Sequence, residues 1–390
     1  MKLKHNLMTF NKVTVGMVTH GQFPNDARIE KEALSLIRAG CDVYIYANKE
    51  VTKHPINSFK GVKVRYFSLR YSPIFLLFIL PGILRRRFRA DKITVAHAQD
   101  TPLVLPTIIA AISLRIPVIY DIHEIWHKMI IDDFLTPIVE RVLLMLWCRI
   151  SEYIGGKMAD AIIVVSKEMA TYLAKTYSIS LHKIEIVKNV CEPINSKDLP
   201  PVKLPKNIFK ICYVGNLNSG HLLLEKLIAS AVYLRNLLNF RFYIIGEGRL
   251  RPNLEALAKK LNVDDFVEFT GFLNRKKAYF YISACDVCLV PYRRNFSIDV
   301  TNPHKLFEYS AFGKAVVSTP IPSYIRMFGN ALYYWKPTTA RRLAEIIYEL
   351  FKNDALRQNL GRSCKILVEK NYNWKIEEKK LFKAYQKALR

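Results

Sequence analysis

The stretch Glu192–Asn207, EPINSKDLPPVKLPKN, decides how this chain is divided. It holds Pro193, Pro200, Pro201 and Pro205 and has no apolar period, so it reads as a linker. Before it, short β-branched runs alternate with helical patterns. Strands are predicted at Val13–Val18, Asp42–Ala47, Lys63–Phe67, Ile93–His97, Pro117–Ile122, Ala161–Val165 and Ile184–Val187. Helix-length segments such as Ala27–Ala39, Pro102–Leu114 and Thr136–Met158 separate them. Several runs are almost wholly apolar, as parallel strands covered on both faces must be. After the linker the pattern restarts, with strands at Phe209–Val214, Phe242–Ile245, Phe266–Thr270, Asp286–Val290 and Ala315–Ser318. Each half reads as a doubly wound, Rossmann-like α/β domain, and two such domains on a linker predict a cleft faced by the carboxyl ends of both sheets. The predicted divisions are 1–191, a linker at 192–207, a second domain at 208–370 and a terminal segment at 371–390 containing an amphipathic helix, Trp374–Arg390.

The 390 residues hold 59 Lys and Arg against 33 Asp and Glu, a formal net charge of +26, and 51% of them are apolar. This excludes a disordered chain, a collagen-like repeat and a small disulfide scaffold. The charge is spread: residues 1–195 hold 26 basic and 17 acidic side chains, and residues 196–390 hold 33 and 16. Such a surface suits anionic lipid, phosphorylated small molecules or nucleic acid, and charge alone does not choose. The seven cysteines are scattered, mostly in apolar runs, which predicts free thiols in a reducing cytosol. Cys285-x-x-Cys288 enters a predicted strand and has no second pair at zinc spacing, so no metal site is read there. No apolar core follows Lys2 and Lys4, and no signal peptide is predicted. The longest apolar run, Pro73–Leu84, is too short to span a bilayer and leads into Arg85, Arg86, Arg87 and Arg89. Apolar residues beside an arginine cluster predict a segment lying on an anionic membrane, against the alternative of a core helix with a solvated basic end.

Two segments carry candidate chemistry. Tyr243-Ile-Ile-Gly246-Glu-Gly248-Arg249-Leu-Arg251 is a strand, a G-x-G turn and a helix, but the third glycine of a dinucleotide fingerprint is missing. It reads as a tight turn that brings a helix amino terminus to an anion. In Asn302-Pro-His-Lys305-Leu-Phe-Glu308-Tyr-Ser-Ala-Phe-Gly313, Pro303 suits a first helical turn and Gly313 a helix end. Lys305 and Glu308 share one face of that helix. They read either as a surface ion pair or as an amine for phosphate and a carboxylate for ribose hydroxyls.

With these in place the chain resembles the GT-B glycosyltransferases, specifically the retaining family 4, glycosyl transferases group 1. Asn25-Asp26-Ala-Arg28 before a helix ending in Ala39-Gly-Cys-Asp-Val43 is similar to that family's D-x-R and GH-x-V. His97-Ala-Gln-Asp100, Tyr120-Asp-Ile-His123-Glu124, Ala159–Ser166 and Ile186-Val-Lys-Asn189 match its next segments. Tyr213-Val-Gly215, Ile245–Gly248, Phe269–Phe272, Pro303-x-Lys305-x-x-Glu308-Tyr and Asn373-Trp374 complete the series in order. The resemblance covers nearly the whole chain and implies that the terminal helix crosses back to the first domain.

It also implies transfer of a sugar from a nucleotide diphosphate sugar, with retained configuration and no metal or other cofactor; the chain has no D-x-D. Carried over by position, His123 and Glu124 are catalytic, His123 facing the donor sugar and Glu124 contacting the acceptor or bracing His123. Glu308 binds the ribose and Lys305 lies near the phosphates, with Asn302 and Arg249 also on the donor side. Asp26, Arg28 and Asp100 fall on the acceptor side, Asp121 caps its turn, and the loops His20–Pro24 and Trp126–Phe134 meet the acceptor. Two departures stand out. The first Glu of the family's E-x7-E would fall at Val300, so Asp299, one position off, or the backbone takes its place. The usual Arg and Lys are absent from Gly215–His221, leaving the diphosphate to the Gly215 and Asn216 amides with Arg249, Arg293 or Lys305. Arg293 and Arg294 read equally as solvated loop charges.

The resulting expectation is a cytoplasmic glycosyltransferase, peripheral to the inner face of the membrane. Its partners are a nucleotide-sugar donor and a lipid-linked or polysaccharide acceptor, and not nucleic acid. A sugar-nucleotide 2-epimerase of the same fold, or a non-catalytic basic protein binding membrane or nucleic acid, are the alternatives.

Overall fold

The structure is a computed structural model and describes residues 10, 12–24, 26–52, 54–72, 74–131, 137–192, 199–200, 202–218 and 221–390. Lys2 and Lys4, Asn25, Pro73, residues 132–136 at the end of the predicted acceptor loop, linker residues 193–198 and 201, and Ser219–Gly220 lie outside the described residues. The chain forms two compact units: residues up to Lys188 together with Glu377–Arg390, and Asn189–Ile376.

The first unit is built on β1 (Thr14–Val18), β2 (Asp42–Asn48), β3 (Ser58–Phe59), β4 (Val62–Phe67), β5 (Val95–Gln99), β6 (Val118–Ile122), β7 (Ala161–Val164) and β8 (Ile184–Ile186). They form one sheet in the order β3-β4-β2-β1-β5-β6-β7-β8, parallel throughout except for the short hairpin of β3 on β4. Every residue of β5, β6 and β7 is buried, which is why these stretches read as continuous apolar runs. Strand β4, next to the short edge strand β3, alternates instead, with Val62 and Val64 inside and Lys63 and Arg65 outside. Strand order reverses beside β1, which pairs with β2 on one side and β5 on the other. The crevice at the carboxyl ends of β1, β5 and β6 is therefore a topological switch point.

The helix Ala27–Arg38 starts there, with the Asp26 carboxylate accepting from the amides of Arg28 and Ile29. The terminal helix Trp374–Ala388 ties into the same unit. Glu377 is buried and accepts from the Lys188 amide at 2.9 Å, and Tyr385 Oη lies 2.7 Å from His97 Nδ1.

The second unit repeats the plan with β9 (Phe209–Val214), β10 (Phe240–Ile245), β11 (Val267–Gly271), β12 (Val287–Val290), β13 (Ala315–Ser318) and β14 (Tyr333–Tyr334). Its order is β11-β10-β9-β12-β13-β14, all parallel, with the switch point between β9 and β12. All seven cysteines are buried free thiols, and Cys212 and Cys288 sit in register on β9 and β12 with Sγ atoms 3.4 Å apart. The helix His304–Ala311 stops where Gly313 turns to φ +66°, before β13.

Candidate active site

At the first switch point the helix Ala27–Arg38 aims Arg28 into the sheet. Its guanidinium meets Asp121 on β6, with Nη2 at 2.8 Å from Oδ1, and Glu32 one turn along its own helix at 3.0 Å. Nη1 donates to the Val187 carbonyl at 3.1 Å. All three charged groups are buried. Burial disfavours the charged form of Asp121, yet Arg28 and then His123 hold its carboxyl well below the usual range. Burial and Asp121 together push Glu32 up. Gln99 donates to Glu32 at 3.0 Å, and His97 Nε2 stands 3.6 Å from Asp121 Oδ2.

This cluster supports His123, one residue past β6. Its Nδ1 lies 3.3 Å from Asp100 Oδ2 and its Nε2 3.5 Å from Asp121 Oδ2. Burial alone would lower its pKa, but Asp100 and Asp121 outweigh it and push the imidazole up to about 9. The ring is thus an imidazolium at neutral pH. Asp100 follows β5 with φ 68° and ψ 161°, a backbone region that non-glycine residues rarely occupy. Two bonds hold it there: its amide donates to the Asp121 carbonyl at 2.8 Å, and its Oδ1 accepts from the His123 amide at 3.0 Å. His20, just past β1, reaches Asp100 at 3.5 Å and sets its ring edge-on to Trp126. Glu124 stands at the exposed lip, where partial loss of water around its carboxyl and then Asp100 push it up.

Two of the expectations change here. Asp121 does not cap a turn; it is fully buried and is the anion that Arg28 pairs with. Arg28 turns its donors to Asp121, Glu32 and the Val187 carbonyl, so it positions the site from within. Asp26 is the cap of that same helix. Glu32, His97 and Asp121 have ligand atoms within 4.8 Å of one another, one such group among the described residues, but Arg28 already sits against both carboxylates.

At the second switch point, Lys305 is buried. Its Nζ donates to Tyr213 Oη at 3.0 Å and lies 4.1 Å from that ring's centre and 5.2 Å from that of Tyr292. Burial pushes the amine down to about 7, only partly opposed by Glu308. Glu308 Oε1 accepts from Tyr279 Oη at 2.8 Å and faces His304 Nδ1 at 2.8 Å. Asn302 is buried just before this helix. Asp299 pairs with Arg294 at 3.0 Å on the short helix Phe296–Val300.

The loop after β9 departs from expectation. The Gly215 amide donates to the Ile245 carbonyl at 2.9 Å, so it is spent inside the fold and does not face a diphosphate. Gly246 is there to let the β9 and β10 loops touch: a Cβ on it would lie 1.9 Å from the Gly215 carbonyl oxygen. The G-x-G stretch is a packing device between loops, and the Arg249 amide donates to Asn218 Oδ1 at 2.6 Å. The Asn216 side chain accepts from the Asn218 amide at 2.8 Å.

Two family models divide the chain between them, Glycosyltransferase Family 4 over residues 29–193 and Glycosyl transferases group 1 over residues 196–365. The chain belongs to the group 1 glycosyltransferases. Its fold is GT-B, shared with sucrose-phosphate synthase of Thermosynechococcus elongatus at TM-score 0.75 and 17% identity, covering 96% of this chain and 98% of that one. Anabaena HepE in complex with UDP-glucose matches at TM-score 0.73 and 13% identity, over 96% and 99%. In sequence, the chain is similar to the N-acetylgalactosamine-N,N'-diacetylbacillosaminyl-diphospho-undecaprenol 4-alpha-N-acetylgalactosaminyltransferase of Campylobacter jejuni, 36% identical over 33% of this chain and 34% of that protein. The curated relatives are matched over only 34% to 61% of their own length.

In this group 1 glycosyltransferase the structure brings His123, Glu124 and Asp100 together at one strand-end crevice and Lys305 and Glu308 together at another. Motifs in the sequence pointed at those five. They did not point at Glu32, Gln99, Tyr279 or Tyr385, which bond across long stretches of chain. Because Arg28 would lose its two-pronged anion and keep only Glu32, Asp121→Asn is expected to cost about 1.5–3 kcal/mol in a urea unfolding experiment. His123 has a folded-state pKa above its ordinary 6.5, so the stability it adds is fully present below pH 6.5 and is lost as pH rises through about 9. The wild-type protein should therefore lose stability across that window relative to His123→Gln.

Proposed function

We propose that this glycosyltransferase moves a sugar from a nucleoside diphosphate sugar to a lipid-linked or polysaccharide acceptor, with retention and without a metal. The observation that carries this reading is the charge at the two crevices: a fixed imidazolium at His123, and a poised amine at Lys305 beside the Glu308 carboxylate. As the bond from the sugar's anomeric carbon to the diphosphate breaks, the sugar turns oxocarbenium-like and negative charge grows on the leaving group. Lys305, protonated from solvent when the donor binds, balances that charge, and Glu308, steadied by Tyr279, accepts from ribose hydroxyls. The acceptor oxygen bonds to the anomeric carbon as its proton passes to an oxygen of the departing diphosphate, and Glu124, at the exposed lip, is placed to hold the acceptor hydroxyl. His123 donates a ring N–H to a hydroxyl oxygen of the donor sugar, and Asp100 and Asp121 hold the ring and offset its charge beside the oxocarbenium-like carbon. A donor of this class is supported by HepE, solved with UDP-glucose, and a lipid-linked acceptor by the Campylobacter relative's diphospho-undecaprenol substrate.

Membrane contact at the cytoplasmic face is part of the same proposal. No helix among the described residues is long and apolar enough to cross a membrane. Instead, Phe75–Ile79 winds as a π-helix into the helix Leu80–Ala90, leaving Ile74 68% and Phe78 74% exposed beside Arg85, Arg86 and Arg89. The helix Thr101–Ile112 packs next to it, and Ile138–Met158 next to that. The last exposes Ile138, Val139, Val142, Leu143, Leu146 and Ile150. So much apolar surface on one helical layer, edged by arginines, supports a lipid-facing surface.

Two measurements test these readings. Across a panel of nucleoside diphosphates, the tightest binder should lose at least about tenfold in affinity in Glu308→Ala, the cost of a buried charged hydrogen bond. Unchanged affinity would remove the donor assignment. Its affinity in the wild type should be flat below pH 7 and fall above it, since Lys305 must then be charged at the ligand's expense. For the membrane, Ile74→Ser/Phe78→Ser should abolish co-flotation with phosphatidylglycerol vesicles; retained flotation contradicts that face.

A further inference from the structure

His97 and Tyr385 are both fully buried, and the proposed transfer gives neither a part. Tyr385 lies on the terminal helix Trp374–Ala388, whose inner face carries Leu381, Phe382, Tyr385 and Ala388 at helical spacing. That helix is pinned along its length. Arg38 pairs with Glu378 at 2.7 Å, Lys387 pairs with Glu185 at 2.8 Å, and Glu377 takes the Lys188 amide. The Phe10 ring packs at 5.7 Å from that of Phe382 and 6.2 Å from that of Tyr385. The Tyr385 hydroxyl is thereby delivered to one fixed point, 2.7 Å from His97 Nδ1, with the two rings edge to face.

The position of the His97 proton follows from counting donors. The Tyr385 hydroxyl keeps its own proton, since burial and then Glu32 hold it well above its usual range. Among the described residues its one hydrogen-bond partner is His97 Nδ1. A buried O–H with a single polar neighbour donates to it, because the alternative leaves the proton unpaired away from water. Nδ1 is therefore an acceptor, and the ring proton sits on Nε2. Gln99 Nε2, 3.3 Å from His97 Nε2, favours the opposite arrangement, but that contact is longer and the same amide group donates to Glu32 at 3.0 Å. Asp121 sides with Tyr385. Its Oδ2 lies 3.6 Å from His97 Nε2, where an N–H attracts the carboxylate and a lone pair would repel it.

We propose that Tyr385 is a positioning residue of the His123 site, its hydroxyl donating to His97 Nδ1 so that His97 turns an N–H toward Asp121. The same Asp121 Oδ2 faces His123 Nε2 at 3.5 Å. A lone pair in place of the His97 N–H would push on the carboxylate that holds the His123 ring. The terminal helix thus acts on the first crevice through one hydroxyl, beyond its packing. The value of this to the transfer rests on the role proposed for His123; the tautomer of His97 does not.

Long-range proton–nitrogen correlation NMR on the ligand-free full chain at neutral pH reads the tautomer of each imidazole. No donor is present, so failure of the donor assignment leaves the measurement in force. Wild-type His97 should carry its proton on Nε2 with Nδ1 bare. In Tyr385→Phe, which keeps the ring and removes the hydroxyl, the proton should shift toward Nδ1. The ring signals of His123 should move with it, while those of exposed His182 stay in place. A tyrosine that only packs would lower the melting temperature and leave the signals of His97 and His123 where they were. A proton on Nδ1 of wild-type His97, or unmoved His123 signals in the folded variant, overturns the proposal. The first outcome needs no variant, so it decides the matter even if Tyr385→Phe does not fold.

Discussion

The buried ion pair between Arg28 and Asp121 is the constraint on which the first unit's chemistry depends. Removing two charges from water is costly, and the pair persists only because its geometry is nearly complete: a two-pronged contact to Asp121, a second carboxylate at Glu32 and a backbone carbonyl at Val187. A hydrophobic pair could stabilise the core as well. What it could not do is keep an ionised carboxylate 3.5 Å from His123. The same pair locks the first helix to β6, so the strand ends it joins become a rigid frame. Asp100 can then be held in a backbone conformation that the loop alone would not adopt.

The two crevices use opposite electrostatics. At His123, carboxylates overcome burial and make a permanent cation; at Lys305, burial dominates and leaves an amine that is only half charged near neutral pH. A fixed cation suits a group that orients a neutral sugar. A poised one suits a group that must meet an arriving dianion, because proton uptake is then linked to ligand binding. In the proposed function Lys305 would make up for the loop after β9, where Asn216 and His221 stand in place of cations and the Gly215 amide is used within the fold.

The two-sheet architecture was legible because buried parallel strands leave continuous apolar runs, and those at β6, β7 and β12 were read nearly to the residue, while β5 lies two residues later than expected. Ser58–Phe59 and Tyr333–Tyr334 were missed, since two-residue edge strands carry no period. Local motifs pointed to His123, Asp100, Lys305 and Glu308. The partners that set their charge were not legible: Asp121 looked like a turn cap because its cation lies 93 residues away, and Tyr385 reaches His97 across 288. Glycine spacing misled at Gly246, where the real demand is contact with Gly215 and not room for an anion. The second apolar face, along Ile138–Met158, escaped notice because its helix inverts the usual pattern, exposing branched apolar residues while burying Ser151, Glu152, Gly155 and Gly156.

The chemistry of the first crevice turns on the charge state of His123, and a site-resolved NMR titration of its ring carbons in the ligand-free enzyme reads it directly. A midpoint near 9, moving down in Asp121→Asn, is the predicted result. A midpoint at or below the ordinary 6.5 would contradict it, because the imidazole would then be neutral where the mechanism needs a cation.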